Sequence, residues 1–64
     1  MKKLHVKIND QWKPVLCEMG GVVIICEETP KKALPFYPSW ANDDLKYFQE
    51  KYSNNEFCLL EINK

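Results

Sequence analysis

The sequence predicts a small α+β domain spanning residues 1-64 and built in the order β-β-β-α-β. An antiparallel three-stranded meander carries one helix on one face, and a fourth strand is added parallel to the sheet. Three observations lead there. Apolar residues alternate or run in short blocks through the first 26 positions, broken by turn signals at Asn9-Asp10 and Gly20-Gly21. One stretch, Ala41 to Tyr52, carries apolar residues at helical spacing. A last short apolar block follows Asn54-Asn55.

Lys3 to Ile8 sets Leu4, Val6 and Ile8 on one side and Lys3, His5 and Lys7 on the other, which reads as a half-buried strand with a wet face. Asn9-Asp10 tolerates positive φ and turns the chain into a second strand, Gln11 to Met19. With a two-residue loop, Ile8 faces Gln11, Val6 faces Lys13 and Leu4 faces Val15. A three-residue loop would exchange the faces of the second strand. Pro14 has no amide proton for a ladder, so this strand should be irregular there.

Gly20-Gly21 then opens Val22-Val23-Ile24-Ile25-Cys26, five apolar residues of which four are β-branched, and this is the expected central strand, covered on both faces. Pairing Met19 with Val22, Cys17 with Ile24 and Val15 with Cys26 gathers Leu4, Val6, Ile8, Val15, Cys17, Met19, Val22, Ile24 and Cys26 into one core face. Trp12, Leu16, Val23 and Ile25 fall on the other, among His5, Lys7, Glu18 and Glu27.

Prolines 30, 35 and 38 make the next stretch an extended connection. Ser39 is the expected N-cap of a helix that begins between Trp40 and Asp43, with Asp43 and Asp44 at the positive end of its dipole. Ala41, Leu45, Phe48 and Tyr52 form its buried face, and Asn54-Asn55 its left-handed stop. Glu56 to Ile62 is the last strand. A right-handed crossover sets it parallel beside the third strand and leaves the lysine-bearing first strand on an edge; the competing order places it, also parallel, beside the first.

Nine lysines balance nine acidic residues, so no whole-molecule field draws the chain to nucleic acid or to an anionic membrane. Met1-Lys2-Lys3 is followed by polar residues where a signal peptide needs an apolar run, and no stretch is long enough to span a bilayer. A soluble cytoplasmic protein is expected. Cys17, Cys26 and Cys58 sit inside apolar runs far apart, as reduced core thiols rather than zinc ligands, and no metal or other cofactor is expected. His5 falls on the strand face opposite Cys17 and Cys26, which disfavours a Cys-His pair. Asp43-Asp44 reads as a dipole partner and not as a catalytic carboxylate pair, and Gly20-Gly21 enters a strand and is no phosphate loop. No catalytic set is visible.

The stretch Leu34-Pro35-Phe36-Tyr37-Pro38-Ser39-Trp40 is the most informative. Aromatic residues between prolines are stiff and adhesive, so the segment is expected to act as a lid over the core, as a contact site, or as both with Tyr37 and one neighbour outside. A non-enzymatic protein-binding module follows, with Trp12, Leu16, Val23, Ile25, Phe36, Tyr37 and Trp40 as the contact residues. Its size suits a small phage or mobile-element inhibitor of a host protein complex, anti-CRISPR-like. The alternative is a small nucleic-acid-binding protein using Lys2, Lys3, Lys7, Lys13, Lys31 and Lys32 with Trp12, Phe36 and Tyr37. A homodimer through Trp12, Leu16, Val23 and Ile25 is a further expectation.

Overall fold

Both hairpin turns form where glycine, asparagine or aspartate tolerates positive φ. The computed structural model, which describes residues 1–62, has Asn9 at φ 52° and Asp10 at φ 65° between β1 (Lys2–Ile8) and β2 (Gln11–Met19). Gly20 and Gly21, at φ 56° and 80°, join β2 to β3 (Val22–Ile25). Ile8 faces Gln11 and Val6 faces Lys13, which is the two-residue-loop register. Met19 pairs with Val22 and Cys17 with Ile24, also as expected. Val15, however, pairs with Ile25 and not Cys26, because a bulge lies between Val15 and Cys17.

That extra residue exchanges the faces beyond it. Val23 and its partner Glu18 turn toward the helix, whereas Cys17, Met19, Val22 and Ile24 move to the outer face. Pro14 contributes to the irregularity: it can only accept, and its carbonyl takes the Cys26 amide at 3.0 Å.

The meander, the helix and the α+β class stand as read from the sequence, but the fourth strand does not run parallel. β4 (Phe57–Glu61) is antiparallel to β1, from Lys2↔Glu61 to Val6↔Phe57, and the sheet order is β3-β2-β1-β4. In a parallel crossover the helix makes the return journey to the start of the sheet. Here the segment between β3 and the helix makes it instead. α1 (Ala41–Lys51) therefore starts beside Met1 and Lys2 and climbs, and the short turn after it brings Glu56 to Lys7, so β4 must descend. β1 is thereby central and β3, expected in the centre, is an edge strand.

The returning segment is not simply extended. Pro30–Lys32 and Pro38–Trp40 are 3₁₀ turns, each started by a proline whose fixed φ suits the first helical position. Between them Leu34 enters the gap where β1 and β2 splay. Its carbonyl accepts the Leu4 amide at 2.7 Å, and its own amide donates to the Val15 carbonyl at 2.8 Å. Ala33 and Pro35 are buried on either side of it. The face expected to be wet is consequently covered: Lys3 is only 5% exposed and donates through Nζ to the Pro35 carbonyl at 3.2 Å, and His5 is buried with its Nδ1–H donating to the Lys3 carbonyl at 2.8 Å.

Leu4, Val6, Val15, Phe48 and Phe57 form the core, with Val23, Leu34, Leu45, Tyr52 and Leu59 packed around it. The helix buries the face that its spacing predicts, and Asp43 and Asp44 occupy its first turn. Its ends differ from expectation. Trp40, not Ser39, is the N-cap, because Pro38 draws Ser39 into the 3₁₀ turn, and Tyr52 at φ −117° is the C-cap where a left-handed asparagine was expected.

Phe48 meets Phe57, Tyr52 and Tyr47 at ring-centroid distances of 5.6, 5.8 and 5.4 Å. Phe48→Ala should cost about 3–5 kcal/mol, most of what a chain of this length holds in reserve. Urea titration should therefore find Phe48→Ala largely unfolded at room temperature and Phe48→Leu folded with a lowered midpoint.

Candidate interaction surface

The tie at Leu34 and the Lys3 bond to Pro35 end the buried part of the connecting segment, and the next residues emerge at once. Phe36 is 75% exposed, Tyr37 51% and Trp40 46%. The lid is thus Ala33 to Pro35 alone, and all three aromatic residues, not only Tyr37 and one neighbour, reach the surface. Phe36 and Tyr37 pack edge to face at 4.7 Å and 69°, and Tyr37 and Trp40 at 4.7 Å and 90°. The second 3₁₀ turn, with Trp40 N–H donating to the Tyr37 carbonyl at 2.9 Å, holds the last two rings together. The result is a three-ring ridge on ordered backbone. One shallow depression, beside Phe36, is lined by Lys3, Lys31, Lys32 and Ala33, and a second by Lys2, Pro38, Ala41, Asn42 and Leu59, with Met1 common to both.

The remaining four expected contact residues do not come together. Val23 packs against the core under the helix, and Ile25 lies on that same side across from Val15. Trp12 stands on the outer face beneath the Lys7 ammonium, and Leu16 sits at the bulge. The apolar residues most exposed on the outer face are Met19 (66%) and Val22 (58%), at the far end of β2 from Trp12. Seven residues of strand, about 23 Å, separate Trp12 from Met19.

A second cluster was not foreseen, since Glu18 was expected only as part of a charged margin. The hydroxyls of Tyr47 and Tyr52 donate to the two oxygens of Glu18, and Lys51 Nζ lies 3.1 Å from its Oε1 and 3.1 Å from the Tyr47 hydroxyl. The Tyr47 hydrogen bond, then those of Tyr52 and Lys51, holds the Glu18 carboxyl at about 2. Bonds to Tyr47 and Glu18 push the Lys51 ammonium up, and the bond to Glu18 raises the Tyr52 phenol. Glu18, Lys51 and Tyr52 are each moved further from neutrality, so the cluster is a clamp between helix and sheet rather than an acid-base site.

The bulge also corrects the placement of the cysteines: Cys17 shares the outer face with His5, and Cys58 is the β4 neighbour of His5. Burial pushes the Cys26 and Cys58 thiols up, which keeps them protonated and poor as nucleophiles. Among the described residues no three His, Cys, Asp or Glu side chains are placed to hold a metal ion, and no helix is long and apolar enough to cross a membrane. No protein-family model, curated protein or solved structure matches the chain.

Two expectations follow. Glu18 has a depressed pKa in the folded state, so its stabilising contribution is complete above about pH 4.5 and disappears as the pH falls toward about 2. Urea midpoints for Glu18→Gln should accordingly lie below those of the unaltered protein at pH 7 and converge with them at pH 2. Trp12→Glu should leave the sedimentation coefficient unchanged, because the patch proposed for a dimer is divided between two faces; dissociation of a dimer by this substitution would restore that interface.

Proposed function

We propose that the protein is a non-enzymatic protein-binding module whose contact is the Phe36–Tyr37–Trp40 ridge. The observation that carries this reading is the exposure of three packed aromatic rings on backbone that is tied down immediately before them. A chain this short has few large side chains to spare from its core, and rings already ordered lose little entropy when a partner docks. Trp and Tyr are also the residues that dominate binding energy at protein interfaces. The finer reading, a phage or mobile-element inhibitor of a host complex, is supported by the small size of the domain and by a surface whose main chemical resource is adhesion.

The nucleic-acid reading has less support. Lys7 pairs with Glu56, Lys13 with Glu27, and Trp12 is engaged with Lys7, so these members of the expected set stand apart from Lys3, Lys31, Lys32 and Phe36 and do not join them in one groove.

Phe36→Ala and Trp40→Ala together should change stability little beyond the loss of their two edge-to-face contacts with Tyr37, about 1–3 kcal/mol, while costing at least about 2 kcal/mol, or thirtyfold, in partner affinity. Capture with the intact protein as bait, repeated with the double variant, checks this. A stoichiometric protein partner retained by the first and lost by the second supports the reading; equal retention by both, or no stoichiometric protein at all, defeats it.

A further inference from the structure

We infer that the ridge takes an acidic segment of its partner: an extended stretch with at least two carboxylates beside one aromatic or branched apolar side chain. This rests on the protein-binding reading above and names its chemistry. The net charge of the chain is zero, but the charge is not evenly spread. Among the described residues the ion pairs are Met1–Glu61, Lys7–Glu56, Lys13–Glu27 and Lys51–Glu18. Lys3, Lys31 and Lys32 are in none of these pairs, nor is Lys46 on the helix, and the first three together line the depression beside Phe36, where no acidic residue does; Lys2 stands across from Glu61, whose carboxylate is taken by the Met1 ammonium.

Lys3 is the most telling of the three. The residue is buried and lines a depression, and its ammonium makes a single hydrogen bond, to the Pro35 carbonyl, although it carries three donors. A buried charge is costly unless paired, and a carboxylate entering from the partner would be its counterion. Lys31 and Lys32 stand at the mouth on a closed 3₁₀ turn, held by Lys32 N–H to the Thr29 carbonyl at 2.9 Å and Ala33 N–H to the Pro30 carbonyl at 3.1 Å. They supply two more positive groups from ordered backbone.

The apolar share of the lining, Met1, Ala33, Ala41, Leu59 and Phe36, fits a hydrocarbon or aromatic side chain next to those carboxylates. Ring geometry favours a peptide over a single nucleic-acid strand. At 69° and 90° the ridge rings occupy one another's faces edge-on, so they offer no series of parallel platforms for successive bases.

The test is selection of a random peptide display library on the immobilised full-length protein, followed by fluorescence anisotropy with the best synthetic peptides. Selected peptides should carry two or more Asp or Glu near an apolar anchor. Their affinity should fall about tenfold or more in Lys31→Glu/Lys32→Glu, whose urea midpoint stays near that of the unaltered protein, and should weaken as salt rises from about 50 to about 300 mM. Lysine-bearing versions of the same peptides should bind the charge-reversed protein better than the original. Neutral or basic winners, no winners above background, or displacement of the peptide by oligothymidylate at lower concentration than by unlabelled peptide overturns the inference. Neutral winners that are lost in Phe36→Ala yet indifferent to Lys31→Glu/Lys32→Glu would remove the acidic chemistry and leave the ridge reading standing; acidic winners indifferent to Phe36→Ala would remove both.

Discussion

The backbone of Leu34, bridging the splayed strands β1 and β2, is the interaction on which the rest of the structure depends. Leu4 and Val15 are fully buried, so the Leu4 amide and the Val15 carbonyl cannot turn to water once the strands part. Each hydrogen bond contributes only about 0.5–1.5 kcal/mol net, whereas leaving either buried group unsatisfied would cost about 1–3 kcal/mol. The asymmetry makes Leu34 obligatory where it is. From that tie follow the burial of Ala33 and Pro35, the covering of Lys3 and His5, the starting point of α1, and the descent of β4 along β1.

The same tie explains how so small a domain can leave aromatic side chains outside. Its core is a compact set of three aliphatic side chains and two phenylalanines, closed by Leu34 from one end and by the helix from above. The Glu18 clamp holds the helix to β2 from the side where the apolar contacts run out, through two tyrosine hydroxyls and a lysine. With those contacts in place Phe36, Tyr37 and Trp40 are not needed inside. They pack on one another instead, and such edge-to-face pairs add about 0.5–1.5 kcal/mol each to a surface that would otherwise be loose.

Zero net charge conceals a local imbalance that matters more for binding. Screening at physiological salt confines a charge's reach to about 8 Å, so a partner meeting the ridge senses the nearby lysines and not the balance of the whole chain. Lys7, Lys13 and Lys51 pair with glutamates elsewhere, whereas Lys3, Lys31 and Lys32, in no ion pair among the described residues, stand together beside Phe36.

By itself the sequence determined the elements and the local turns, since these depend on neighbours along the chain. The alternation of Lys3 to Ile8, the left-handed tolerance of Asn9-Asp10, the glycines before Val22 and the spacing of Leu45, Phe48 and Tyr52 each act within a few residues. Pro14 even marked the strand where regular pairing would fail. Tertiary structure alone decided whatever turns on counting residues across a gap. One extra residue in the bulge after Val15 moved Val23 inward and Cys17 outward, which separated Val23 and Ile25 from Trp12 and brought a cysteine to the face of His5. The aromatic segment was legible as adhesive, but its exposure was not, because whether Phe36 is lid or contact depends on where Leu34 is anchored. That anchor is a pair of backbone hydrogen bonds to residues far away in the chain, and a backbone amide looks the same at every position of a sequence.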